Sequence, residues 1–234
     1  MSTTLTTSFN PDLNTIVEEA FERCGAELRT GYDLRTATRS LNLMLSEWAN
    51  RGINLWTLDQ GVRVLDPGVS TYDIPADTVD LLDHVIRTGS GQNQQDINIT
   101  RISSSTYLSI PNKNATGRPI QVWVQRLSEQ NSGTPLITIW PVPEVGSNYQ
   151  FVYTRLRRMV DAGTSINNQD IPFRFFNALV AGLAYYLSLK IPGAADRTVM
   201  LKQMYDEAFQ LAADEDREKA AVRFVPRETF IGYR

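Results

Sequence analysis

Hydrophobic positions change period twice along the chain. From about Pro11 to Cys24, Leu13, Ile16, Val17, Ala20 and Phe21 recur at helical spacing and predict one apolar helix face. Asn10 is the expected N-cap, Pro11 the first helical residue and Gly25 the stop. A second helix is predicted from about Asp33 to Arg51, ending at Gly52. Leu34, Ala37, Leu41, Met44, Leu45 and Trp48 form its inner face, with Arg35, Arg39 and Glu47 opposite.

From about Leu55 to Val160 the pattern shifts to short runs rich in Val, Ile, Thr, Trp and Tyr, punctuated by Gly and Pro. The runs predict strands at Leu55–Leu58, Val62–Leu65, Thr71–Ile74, Val79–Thr88, Ile97–Arg101, Ile120–Leu127, Leu136–Trp140 and Gln150–Met159. Asp66-Pro67-Gly68 reads as a turn, and the stretch Gly89 to Gln95, with no apolar residue, as a mobile hairpin tip or loop. Ser103 to Leu108 has room for a single helical turn.

Helical spacing returns at Pro172. Phe173, Phe176, Leu179, Val180, Leu183, Ala184 and Leu187 predict a broad buried face, broken by Pro192-Gly193. A last helix is predicted from about Ala195 to Ala220, with Val199, Met204, Ala208, Phe209 and Leu211 inward and a wholly polar end from Asp214 to Lys219. The expected class is α+β. Residues 1–54 and 165–221 would form an antiparallel helical bundle from both chain ends. Residues 55–164 would form an inserted β-rich domain, sandwich or barrel-like, and residues 222–234 a C-terminal arm.

Composition adds exclusions. A net charge of −3 argues against a general nucleic-acid coat. The single cysteine, Cys24, excludes an internal disulfide framework and a cysteine zinc site, and it fits folding in a reducing cytoplasm. The opening MSTTLTTSFN has no basic and apolar regions of a secretory signal, and no apolar run is long enough to predict a membrane span.

Candidate chemistry is sparse. The one histidine, His84, lies beside Asp80 and Asp83, which admits a metal or acid–base reading. An incidental strand histidine fits better, because metal sites usually need three or four protein ligands. No metal, cofactor or catalytic set is predicted. No phosphate-binding loop, serine elbow or metalloprotease helix motif occurs. Arg155, Arg157 and Arg158 read equally as contacts with DNA phosphates or acidic neighbours, or as a solvated strand edge. The tail carries Phe224, Val225, Phe230, Ile231 and Tyr233 around Pro226, with Arg227 and Arg234. It either packs on its own subunit or serves as an arm that orders on a partner.

The run from Tyr32 to Trp56, with Glu47-Trp48 and Gly52-Ile53, resembles the second helix and following strand of podovirus head-to-tail adaptors. Ile74-Pro75-Ala76-Asp77 and Trp140-Pro141-Val142-Pro143 are similar to strand-end motifs of that group. Pro172-Phe173-Arg174-Phe175 with Leu179 to Leu187, and Lys202 to Phe209, are similar to its third and fourth helices. The resemblance spans roughly Pro11 to Pro226, and the order of the motifs is its strongest part. The group includes the tail tubular protein A and packaged-DNA stabilisation types. It implies a virion protein forming a ring, typically of twelve subunits, between portal and tail nozzle; the hydrolase activity of some packaged-DNA stabilisation proteins is not carried over, because no catalytic acid pair can be placed here, and the chain is expected not to be an enzyme. The ring would extend the DNA channel, tail fibres are further candidate partners, and C-terminal arms would reach the portal. The expected arm residues are Phe224, Val225, Pro226, Arg227, Phe230, Ile231, Tyr233 and Arg234. Two alternatives stand beside this reading. One is a peptidoglycan-cleaving adaptor using Glu144, Asp80 or Asp83, which would require a paired acid and base. The other is a prophage tail-completion protein.

Overall fold

The computed structural model describes residues 9–52, 55–126, 134–164 and 166–217. Its class is α+β, with helices at both ends and a central β region. Helix α1 spans Leu13–Cys24 and starts later than expected. Asp12, not Asn10, is the N-cap, its carboxylate accepting the Thr15 N–H at 2.9 Å, and Pro11 lies before the helix. Gly25 closes it in the left-handed conformation, φ 75°. Helix α2 spans Gly31–Asn50 and starts earlier than expected, because Thr30 and Asp33 form a capping box. The Asp33 N–H donates to Thr30 Oγ1 at 3.2 Å and the Thr30 N–H to Asp33 Oδ2 at 3.0 Å.

The β region packs two four-stranded sheets face to face. The strands are β1 (Leu58–Leu65), β2 (Thr71–Asp73), β3 (Thr78–Thr88), β4 (Gln95–Asn98), β5 (Thr100–Ile102), β6 (Gln121–Gln125), β7 (Leu136–Trp140) and β8 (Tyr149–Arg157). One sheet runs β1-β8-β3-β4, the other β2-β7-β6-β5; every pairing is antiparallel except β5 with β6. Leu65, Leu81, Ile86 and Phe151 of the first sheet meet Tyr72, Val122, Ile137 and Ile139 of the second in one buried core.

Two strand expectations need correction. Leu55–Thr57 is a 3₁₀ turn, and β1 runs unbroken from Leu58 through Leu65. The stretch Ile97–Arg101 is not one strand: the chain changes sheets there, ending β4 at Asn98 and starting β5 at Thr100. A short helix α3, Ser104–Leu108, is capped by Ser103 as expected.

Helix α4, Phe176–Ser188, is the centre of the helical core and packs against α1, α2 and α5 (Thr198–Glu215). Phe173 was expected on its buried face but sits in the preceding 3₁₀ turn, 78% exposed, while Phe175 is buried. Trp48 is fully buried between α4 and α5. Its Nε1–H donates to the Tyr205 hydroxyl at 2.7 Å, and its ring lies 5.6 Å from Phe175 and 5.3 Å from Phe209. The two chain ends therefore share one core, which also takes in Ala162 and Ile171 from the segment before α4.

On α5 the expected inner face is corrected. Leu201, Tyr205, Ala208 and Ala212 are buried, whereas Val199, Met204 and Leu211 face outward. The polar end is also not wholly solvated. Asp216 is buried, ion-paired to Arg174, and accepts the Leu55 N–H at 3.0 Å, tying the end of α5 to the segment that leads into β1.

Candidate functional site

The arginine cluster lies on a central strand, since β8 pairs with β1 on one side and β3 on the other. The solvated-edge reading is thereby corrected. Arg155 binds Asp77 at 2.5 Å and Asp59 at 3.2 Å. Burial disfavours its charge, but the hydrogen bond it donates to Asp77 and the charges of Asp77 and Asp59 together outweigh this and raise its pKa. Arg157 binds Asp170 at 2.6 Å and donates to the Trp56 carbonyl at 3.2 Å. Both side chains are largely covered, so their acidic neighbours are internal; Arg155 ties strands within the sandwich, and Arg157 joins the sandwich to the segments flanking the bundle. Arg158 lies past the strand end, exposed, its N–H donating to the Asp77 carbonyl at 2.7 Å.

His84 faces the sandwich core on β3, opposite Tyr153 and stacked on Phe151 at 5.9 Å. Both ring nitrogens are buried with no hydrogen-bond partner. Burial lowers its pKa, and the positive charge of Arg101 adds to this against Asp83. Among the described residues no group of three or more His, Cys, Asp or Glu side chains is placed to hold a metal ion.

The three acids considered for hydrolysis are not brought together as a hydrogen-bonded pair. Asp80 is clamped by Arg101 at 2.9 Å and by Arg126. Burial would raise its pKa, but those hydrogen bonds outweigh it and hold the carboxyl below its ordinary range. That favours a permanent anion over a proton donor. Asp83 is exposed on β3, and Glu144 accepts from the Tyr149 hydroxyl at 3.2 Å in the β7–β8 connection.

What the fold leaves exposed is apolar surface. On α5, Met200, Met204 and Leu211 are 53, 41 and 74% exposed and recur at the spacing of a helical seam. On β1, the edge strand of the first sheet, Val62 and Val64 are 52 and 54% exposed. Across the sheet, Val62 pairs with Val152 and Val152 with Val85, which extends this apolar row inward. The α5 seam is not legible from composition: its residues look like core until the neighbouring row Leu201, Tyr205, Ala208 and Ala212 is seen to take that role. The expected arm residues Phe224, Val225, Pro226, Arg227, Phe230, Ile231, Tyr233 and Arg234 lie outside the described residues. Among the described residues no helix is long and apolar enough to cross a membrane.

Comparison with known proteins gives one finding. Residues 11–227 match the family model described as SU10 adaptor protein. No curated protein matches the chain.

Proposed function

The chain belongs to the SU10 adaptor protein family, a family of phage adaptors, and we propose that it acts as a ring subunit joining the portal to the tail nozzle. In this reading about twelve copies, as in the adaptors it resembles, close through head-to-tail contacts and extend the DNA channel. The protein is a structural component of the virion, with portal, nozzle and neighbouring copies as partners and tail fibres as further candidates. The observation that carries the reading is the exposed apolar surface on both halves of the fold. Met200, Met204 and Leu211 on α5 and Val62 and Val64 on β1 suit a subunit whose neighbours cover it. A mildly acidic chain also suits a channel that must release DNA, because a strongly basic lumen would retain it. Of the three clustered arginines, Arg158 is the exposed one, which makes it the candidate for contact with DNA or a neighbour.

We assign portal attachment to residues 222–234. Five large apolar residues there would each gain roughly 1.5–3 kcal/mol on burial, and Pro226 favours an extended path over a continued helix. The burial of Asp216 modifies the picture: the end of α5 is held to the bundle by Arg174. Purified chain mixed with portal rings of the same phage tests the assignment. The full chain should co-sediment with the rings, and a variant lacking Phe224–Arg234 should not, with its melting temperature nearly unchanged. Normal docking of the truncated chain would remove the arm from this role.

A further inference from the structure

We propose that the ring contact is made by the outer seam of α5 on one copy seated against the outer face of α2 and the segment after β8 on the next. This rests on the ring reading above and specifies the surfaces that close it. Three observations lead to it.

The first is the α5 seam. Met200, Met204, Glu207 and Leu211 follow one another at four-, three- and four-residue steps, all exposed, while the core row of the same helix is complete without them. Such spacing is that of a helix prepared to pack against another helix on each side.

The second is a groove of about 520 Å³ beside α2, lined by Leu34, Arg35, Arg39 and Leu43 and closed by Gly163 and Thr164. Leu43 is 57% exposed. Among the described residues neither Arg35 nor Arg39 has a carboxylate within ion-pair distance; Arg35 Nε donates only to the Gly31 carbonyl, at 3.3 Å. The seam carries the opposite sign, with Glu207 at its centre and Asp214, shared with Arg217, at its end. Apolar residues flanked by unpaired cations on one face therefore match apolar residues flanked by carboxylates on the other.

The third is placement. The Glu47 and Arg51 flank of α2 turns toward α4 and α5: Glu47 accepts from Tyr186, and the Arg51 guanidinium lies over the Phe209 ring at 4.5 Å. The Asn42 flank turns the other way, where its Oδ1 accepts the Ala162 N–H at 2.8 Å beside the groove. Helix α5, through Tyr205 and Phe209, and the Asn42 side of the groove thus lie on different flanks of α2. A head-to-tail contact requires two different surfaces on opposite sides of a subunit; a symmetric dimer requires one surface twice.

Cysteine cross-linking tests the assignment in the full chain. Cys24 does not interfere, because it is buried and its thiol, pushed up to about 11 by burial, stays protonated. Leu43→Cys is combined with Met204→Cys or with Leu211→Cys, the pair that reacts giving the helix direction. Treatment with a short bismaleimide should turn one double variant into a ladder of covalent oligomers, while each single variant stays monomeric. Glu207→Arg should reduce the ladder about tenfold, and adding Arg39→Glu to the same chain should restore it. Dimers from a single variant would show a symmetric contact and overturn the proposal. Closed rings in mass measurement without a ladder would overturn the surfaces and leave the ring reading intact. Monomers at every concentration, again without a ladder, would overturn both.

Discussion

Replacing Gly182 by alanine adds one methyl group where α4 passes closest to α2 and α5. A Cβ built there lies 2.8 and 2.9 Å from two ring carbons of Tyr205, and closer still to the Met44 sulfur. The methionine can shift, but the tyrosine is held. It is 2% exposed, its hydroxyl accepts the Trp48 Nε1–H at 2.7 Å, and its ring is stacked near Tyr185 and edge-on to Phe209. Alanine would gain about 1 kcal/mol over glycine in helix propensity. Overpacking a filled core costs about 1–3 kcal/mol, and here it also strains a buried hydrogen bond; less the propensity gain, a net loss of about 1–2 kcal/mol is expected. Gly31→Ala, at the start of α2 with nothing within 4 Å of the new methyl, serves as the control. It should be neutral or gain up to about 1 kcal/mol. Urea unfolding followed by tryptophan fluorescence reads both, as a shift in midpoint at constant slope. A Gly182→Ala protein as stable as the parent would refute the close crossing of these three helices.

Trp48→Ala should cost about 3–5 kcal/mol, since the ring is fully buried among Phe175, Tyr205 and Phe209; equilibrium denaturation showing a loss under 1 kcal/mol would contradict this. His84 is held neutral by burial, so its folded pKa lies below 6.5. Stability should be full above about pH 6.5 and fall as pH drops through the folded pKa, because the unfolded chain takes up the proton more readily. Melting curves between pH 7.5 and 5 should show that fall in the parent and a shallower one in His84→Leu; parallel profiles would rule it out. Gly61→Ala would place a methyl 2.6 Å from the Tyr153 hydroxyl and closer still to its ring. A loss of about 1–3 kcal/mol is expected by denaturant unfolding, and an unchanged midpoint would mean that the ring does not rest on β1. Asp216→Ala should cost about 1.5–3 kcal/mol by removing charged hydrogen bonds to Arg174 and the Leu55 N–H; a neutral effect would mean that the end of α5 is not anchored there.

The helix periods carried much of the fold. Ala37, Leu41, Met44, Leu45 and Trp48 are all buried on one side of α2, and β7 has the bounds predicted from its β-branched and aromatic run. The errors share a physical origin in contacts distant along the chain. Helix α5 has two apolar rows, and period alone does not say which row meets the subunit's own core; Val199, Met204 and Leu211 lie outside it, while Ala208 and Ala212 lie inside. The ion pairs of Arg155 with Asp77 and Arg157 with Asp170, and that of Asp216 with Arg174, join residues separated in sequence, so charge patterning reads them as solvated. The change of sheet at Ile99 involves no glycine or proline, and a continuous run hides it. The phage adaptor family was legible from the order of motifs, and the α5 seam emerged only from the packing.

Electron cryo-microscopy of phage particles that carry this chain tests the central claim most directly. A single closed ring of the chain is expected between portal and tail, with α5 of each copy against α2 of the next and residues 222–234 reaching the portal. Density for the chain elsewhere in the particle, or no ring at the head–tail junction, would contradict it.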